Sequence, residues 1–230
     1  MDPQVLKKLN AARGGRKACV VITSLKDGRD RLVLEGEQTS GELGEAIGRC
    51  FQTGKSTAAE ITGEEFFLNV HLPSPRLVVI GAVHISQALA TIASAARYTM
   101  EVIDPRTAFA TPERFADVPL YPEWPDTVLK DRPLDAYCAL AAVTHDPKID
   151  DTPLLEALNA NCFYVGALGS RKTHAKRVER LTEAGASPEQ LARVHAPIGL
   201  DIGASSPQEI AVAIMAEVIA AHRKRDLVGQ

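Results

Sequence analysis

The stretch "RLVVIGAVHISQALA", residues 76–90, decides the fold. Leu77, Val78, Val79 and Ile80 form a run of β-formers that ends at Gly81, and an apolar-periodic segment follows at once. A strand, a glycine turn and a helix in that order open a dinucleotide-binding βαβ unit. The G-x-G-x-x-G fingerprint falls on Gly81, Val83 and Ser86, so only the first glycine is kept. In the fingerprint the first glycine permits the tight turn, the second lets pyrophosphate approach the backbone, and the third lets the helix pack close to the strand. Gly81 preserves the turn and Ser86 is small enough for the packing. The β-branched Val83 occupies the space where phosphates would lie against the helix start, which argues against tight NAD binding in the standard pose. Asp104, about 20 residues on, stands where a ribose-binding acid belongs.

Outward from this stretch, strand alternates with helix, the sign of a mostly parallel sheet with helices on both faces. Strands are expected at 76–80, 99–103, 135–143 and 162–167, with helices near 84–97, 150–160, 170–185 and 206–224. The six prolines between 105 and 133 predict mostly loop, with one short strand near Val118. The last helix announces its start with Ser206 as cap, Pro207 at the first position and Glu209 at the third, a capping box. Its face Ile210, Ile214 and Val218 is expected on the sheet.

Before Pro73-Ser74-Pro75 the pattern differs. A short amphipathic helix over 3–12 precedes β-like runs at 18–24 and 31–36. A helix capped by Ser40 and stopped by Gly54 comes next, then a hairpin turning at Thr62-Gly63. The chain therefore reads as a small α+β domain, 1–73, followed by a Rossmann-like domain, 74–230.

Composition bounds the function. The chain has 230 residues, 45% hydrophobic and 24% charged, and a net charge of −3. That charge argues against a nucleic-acid partner. No apolar run approaches the roughly 20 residues of a membrane span, and the opening MDPQVLKKLN lacks a signal-peptide core, so a cytoplasmic protein is expected. Cys19, Cys50, Cys138 and Cys162 are scattered without C-x-x-C spacing and read as inert core thiols rather than a disulfide framework, a metal site or sulfur carriers.

In an open parallel sheet, ligands bind outside the carboxyl ends of the strands. The residues expected on that rim are Gly81, Val83 and His84, then Asp104 and Arg106, then Thr144, His145 and Asp146. Gly169, Ser170, Arg171 and Lys172 follow, and finally Asp201 in the glycine-rich loop 195–207. Arg114 lies in the loop after the second strand. Glycine, a hydroxyl and two cations at the helix start Gly169–Lys172 make an anion cradle, against the plainer reading of a cap with a solvated basic face. His145-Asp146 reads as a proton-transfer pair or a fragment of a metal site, and Asp150 and Asp151 as helix caps or as chemistry.

With these blocks assembled, the chain resembles the XdhC/CoxI family, accessory proteins of molybdenum hydroxylases such as xanthine and carbon monoxide dehydrogenases. The matching stretches are "GAVHISQAL", "VIDPR" with "FATPERF", "VTHDPKIDD", "YVGALGSRKTHAKR" and "HAPIGLDIGASSPQEIAVAIMAEVIA", in order over about two-thirds of the chain. The resemblance implies a Rossmann-like domain that binds molybdenum cofactor, as molybdopterin or its dinucleotide form. It also implies help with cofactor sulfuration and hand-over to an apo-hydroxylase, with a cysteine desulfurase as a further partner. Typical members carry glycine where Val83 stands. "EGEQTSGELGEA" takes the approximate place of a "GGCxE"-like segment, so a family cysteine there has no counterpart, and the chain resembles a short CoxI-like form.

Three readings stay open from the residues. One is a non-catalytic cofactor chaperone. Another is an NAD(P)-dependent oxidoreductase using His145 and Asp146, and the third is a regulatory nucleotide-binding module. Homodimerisation through an exposed strand of the first domain is a further expectation.

Overall fold

The computed structural model describes residues 1–224, which divide into two compact units, Met1–Pro73 and Ser74–Lys224. The expected second domain runs on to 230, and its last six residues lie outside the described residues.

In the first unit, β1 (Cys19–Ser24) pairs antiparallel with β2 (Asp30–Leu34) and β4 (Glu64–His71), and β3 (Thr57–Ile61) closes the order β2-β1-β4-β3. Side chains alternate along a strand, so β1 serves two faces. Cys19 and Val21 pack under Leu9 and Ala12 of α1 (Pro3–Gly14). Val20 and Ile22, also buried, point to the opposite face, and α2 (Gly41–Thr53) packs on β1, β3 and β4. Gly54 ends α2 in the left-handed conformation, φ 66°, which glycine adopts without a Cβ penalty. Ser40 holds the N-cap position of α2 but its side chain makes no capping hydrogen bond.

The second unit is a six-stranded sheet in the order β10-β9-β8-β5-β6-β7, every neighbouring pair parallel. Its strands are β5 (Arg76–Ile80), β6 (Thr99–Ile103), β7 (Leu120–Tyr121), β8 (Cys138–Ala142), β9 (Tyr164–Ala167) and β10 (Val194–His195). Counted from β5 as strand one, this is 3-2-1-4-5-6, the order of the doubly wound dinucleotide fold. Both faces are covered, as the unbroken apolar runs require. Leu77 and Val79 pack with Leu89 and Ala93 of α3 (His84–Ala95) and with Ala211, Ile214 and Val218 of α8 (Pro207–Lys224). Val78 and Ile80 face the other way, onto Val128 and Leu129 of α4 (Pro125–Asp131), Leu154 and Leu158 of α5 (Pro147–Asn159) and Leu181 of α6 (Arg171–Glu183). The expected capping box of α8 forms: the Ser206 N–H donates to Glu209 Oε2 at 2.9 Å and the Glu209 N–H to Ser206 Oγ at 3.2 Å.

Short elements depart from expectation. The strand sought near Val118 lies at Leu120–Tyr121, and the proline-rich stretch contains α4, whose Pro125 sits in the first turn where no N–H is needed. α7 (Pro188–Leu191) lies between the helix expected near 170–185 and the loop expected over 195–207, where no element was foreseen, and β10 takes in the first residue of that loop. α5 starts at Pro147 rather than near 150, because Asp146 caps it by accepting the Lys148 N–H at 3.0 Å. Asp150 and Asp151 are therefore inside the helix and cap nothing. Among the described residues no helix is long and apolar enough to cross a membrane.

Candidate functional site

All six parallel strands end on one rim, and the glycine turn lies at its centre. Gly81 has φ 120°, a left-handed value that disfavours any side chain. A Cβ there would also stand 2.9 Å from Thr144 Cγ2, against the end of β8. Ser86 is fully buried and its hydroxyl donates to the Gly81 carbonyl at 2.6 Å, so the third fingerprint position locks the turn as well as packing it. Val83 is the N-cap of α3 with extended backbone, φ −103°, a conformation open to any residue. Its side chain is half-buried against the core, and His84 is exposed.

Two side chains then close the peptide of Ala82 from both ends. Asp104 accepts the Ala82 N–H on Oδ2 at 2.7 Å, and Arg114 Nη1 donates to the Ala82 carbonyl at 3.0 Å. Asp104 is 0% exposed and carries Arg106 as well: the Arg106 N–H and Nε both reach Oδ1 at 2.9 Å, and Nη2 reaches Oδ2 at 2.8 Å. Burial alone would push this carboxyl up, but the Arg106 and Ala82 hydrogen bonds outweigh it and hold the carboxyl below its ordinary range. A carboxylate so enclosed offers no surface to a ribose diol. Arg114 adds bonds to the Phe109 carbonyl at 2.8 Å and Gln87 Oε1 at 2.9 Å, tying the 109–115 loop over the turn. The loop's arginine was visible in the sequence; that its target is a backbone carbonyl was not.

Beside the turn, Thr144 relays between the Asp146 backbone and the buried Asp150 carboxyl. The Asp146 N–H donates to Thr144 Oγ1 at 2.9 Å, and Thr144 Oγ1 donates to Asp150 Oδ1 at 2.7 Å. Asp150 is 1% exposed, with no partner for Oδ2 among the described residues, and burial raises its carboxyl to about 6, while the Thr144 bond and the nearby Arg177 charge pull the other way. His145 adopts φ 65° and is exposed. Asp146 serves as a cap, and among the described residues no three His, Cys, Asp or Glu side chains gather into a metal-holding group. Asp146 and Asp150 both act on Arg106, which connects the ends of β6 and β8.

At the end of β9, Gly169 has φ 136° and passes within 3.2 Å of Thr173, measured from where a Cβ would stand. Ser170 caps α6, accepting the Thr173 N–H at 3.2 Å, and Arg171 and Lys172 are exposed at the helix start. Further along the helix, Arg177 is 2% exposed; its Nη2 donates to the Leu168 carbonyl at 3.0 Å, and Nε and Nη1 have no partner among the described residues. His145, Lys172, Lys176 and Arg177 line a pocket of about 260 Å³. Asp201 is exposed on the loop after β10 and does not line that pocket.

The loop after β10 holds a group the sequence reading missed. Glu217 of α8 accepts the Tyr164 hydroxyl at 2.6 Å and the Gly199 N–H at 2.8 Å on Oε2, and pairs with His195 Nδ1 at 2.9 Å on Oε1. Burial would raise the Glu217 carboxyl, but these bonds, led by that from His195, bring it below its ordinary value. A single acid within the apolar run "IAVAIMAEVIA" was the available signal.

Strand order, glycine turn and rim together define a Rossmann-type α/β domain whose nucleotide turn is closed by side chains of its own chain. The family profile described as the XdhC Rossmann domain matches residues 77–218, and the chain belongs to the XdhC family, as the sequence motifs led us to expect. It is 34% identical over 157 residues to the uncharacterised protein YqeB of Escherichia coli (strain K12), covering 66% of this chain and 28% of that one. It is 31% identical over 153 residues to a probable xanthine dehydrogenase subunit of Bacillus subtilis (strain 168), covering 66% and 44%. Over 179 residues it is 28% identical to PaoD of Escherichia coli (strain K12), a molybdenum cofactor insertion chaperone, covering 77% and 49%. The chain thus spans less than half the length of these curated relatives. A solved Bacillus halodurans structure described as a xanthine dehydrogenase superposes with TM-score 0.64 at 24% identity, over 96% of this chain and 65% of that one, a likeness of fold.

Proposed function

We propose that this chain is a non-catalytic accessory protein that binds molybdenum cofactor and assists its maturation and insertion into a xanthine or carbon monoxide dehydrogenase-type apo-enzyme. The observation that carries it is the division of the rim. The standard pyrophosphate position is closed by Val83, Asp104 and Arg114, whereas two strands further on, at α6, Lys172, Lys176 and Arg177 have no ion pair among the described residues. Molybdenum cofactor is an anionic, phosphate-bearing pterin. Its phosphate fits a helix start with a hydroxyl and two cations, Gly169, Ser170, Arg171 and Lys172. Gly81, Val83, His84, Thr144, His145 and Asp146 face the pterin in this reading, with Asp104 and Arg106 behind them and Asp201 at the margin, on the loop after β10. NAD(P) is the weaker ligand because the backbone N–H and carbonyl of Ala82 are both already bonded within the chain.

All four cysteines are buried and free, so sulfur for cofactor sulfuration comes in this reading from a partner such as a cysteine desulfurase. The sheet edges β2 and β3 of the first unit are the surfaces offered for a homodimer. The test is the pterin content of the chain purified anaerobically from a host that makes the cofactor, read as the fluorescent oxidation product per mole of chain. Near-stoichiometric pterin, lost on replacing Ser170, Arg171 and Lys172 together by alanine, is expected. Absence of pterin after cofactor is added back, with NADH bound instead, would favour the oxidoreductase or nucleotide-binding readings.

A further inference from the structure

Buried polar groups in folded proteins almost always find partners, and a guanidinium left with two unbonded nitrogens is an exception that asks for a cause. Arg177 is such a case. It is 2% exposed, anchored only through Nη2 to the Leu168 carbonyl, and it reaches the pocket formed by the β8–α5 turn and α6. Asp150 and Asp151 attract it electrostatically, but neither forms an ion pair with it; Asp150 bonds Thr144, and Asp151 bonds Arg180, with Nη2 to Oδ1 at 3.1 Å. Lys172 and Lys176 line the same pocket, and both are exposed without an ion pair among the described residues. Three cations without an ion pair among the described residues therefore line one pocket from the first two turns of a helix whose N-terminus faces the rim.

We propose that this pocket is the seat of one phosphoryl group, gripped by Arg177 and flanked by Lys172 and Lys176. Its volume of about 260 Å³ lies below the 300–1,000 Å³ of pockets that enclose whole ligands, so it takes one group and leaves the remainder outside. Phosphoryl suits it better than carboxylate. Arg177, Lys172 and Lys176 offer three separate cationic donors to one small pocket, and a tetrahedral dianion has the charge and the number of oxygens to engage them where a singly charged, two-oxygen carboxylate does not. The positive end of α6, thirteen residues long, adds to the field. This seat rests on the function proposed above and sets the ligand's phosphate deeper along α6 than Ser170, toward Arg177 about two turns on, and its test is read without any pterin.

The experiment is calorimetric titration of the purified chain with inorganic phosphate and with pyrophosphate at constant ionic strength, chloride serving as control. One site is expected, with affinity falling at least tenfold in the double variant Lys172→Gln, Lys176→Gln. Both side chains are exposed, so the melting temperature should stay put. Arg177→Lys, which keeps the charge and loses the fork, should weaken binding as well. No heat from either anion, or equal affinity in the double variant, overturns the seat whatever the pterin content. Adding phosphate to pterin-loaded protein separates the sources of the group. Displaced pterin means that its own phosphate occupies the seat, and phosphate bound beside retained pterin means a separate phosphoryl ligand.

Discussion

Asp104 Oδ2 accepts the backbone N–H of Ala82 at 2.7 Å, so the end of β6 is fastened to the turn after β5 by a side chain that is itself fully buried. The residue that sequence position marks as a ribose reader thereby works as a strut. Replacing Asp104 by alanine leaves the Ala82 N–H buried and Arg106 without its carboxylate, and we expect a loss of about 3 kcal/mol in urea unfolding at neutral pH. The carboxyl lies below its ordinary 3.8, so its contribution is complete above that pH and disappears as the pH falls through the lower native value. A loss under about 1 kcal/mol would mean that the turn does not depend on the strut.

Restoring the missing fingerprint glycine makes the same point from the ligand's side. Val83→Gly frees the space over the start of α3 but leaves the Ala82 peptide held by Asp104 and Arg114. We expect no measurable gain in NADH binding by fluorescence titration, and a stability loss of about 1–2 kcal/mol from backbone entropy and lost packing. Micromolar NADH binding by this variant would show that the valine alone closes the site.

The Tyr164 hydroxyl donates to a carboxylate at 2.6 Å within a nearly enclosed group. Bonds to charged acceptors contribute about 1.5–3 kcal/mol, so Tyr164→Phe should cost about 2 kcal/mol. In a double-mutant cycle with Glu217→Gln, the coupling should exceed about 1 kcal/mol. Additive effects would place the hydroxyl's worth in packing instead.

What was legible in the sequence, and what was not, follows from the range over which each feature is determined. The long strands and α3 and α8 were readable because continuous apolar runs and a 3.6 periodicity are local signals. Two-residue strands such as β7 and β10 exist only because a neighbour offers them a ladder, and α4 begins on a proline inside a stretch whose prolines suggest loop. Ser206 and Glu209 could be paired in advance since both halves of a capping box lie within four residues. Arg177 could not be singled out within "HAKRVER", where every charge suits a solvated face. What buries it is the inward stripe Arg177–Leu181, four residues apart, and the stripe's direction is set by the sheet. Asp104 was found by position, but its partner is a backbone N–H that any residue at 82 would supply.

Asp150 ties the site to pH. Its carboxyl is raised from 3.8 to about 6, chiefly by burial, so between those values the native state holds a proton that the unfolded chain has released. Protonation there favours folding. The benefit is whole below about pH 4, falls away as the pH rises through 6, and above that the native state carries a buried charge. The rise from 3.8 to about 6 corresponds to about 3 kcal/mol. Asp150→Asn keeps an oxygen for the Thr144 hydroxyl and removes the titration. Urea midpoints at pH 4.5 and 7.5 should therefore show the variant gaining on the natural chain as the pH rises, by about 1–3 kcal/mol. A difference between the two proteins that stays constant with pH would assign Asp150 an ordinary carboxyl, ionised in both states, and would leave its enclosure by Thr144 and Arg177 without consequence for folding.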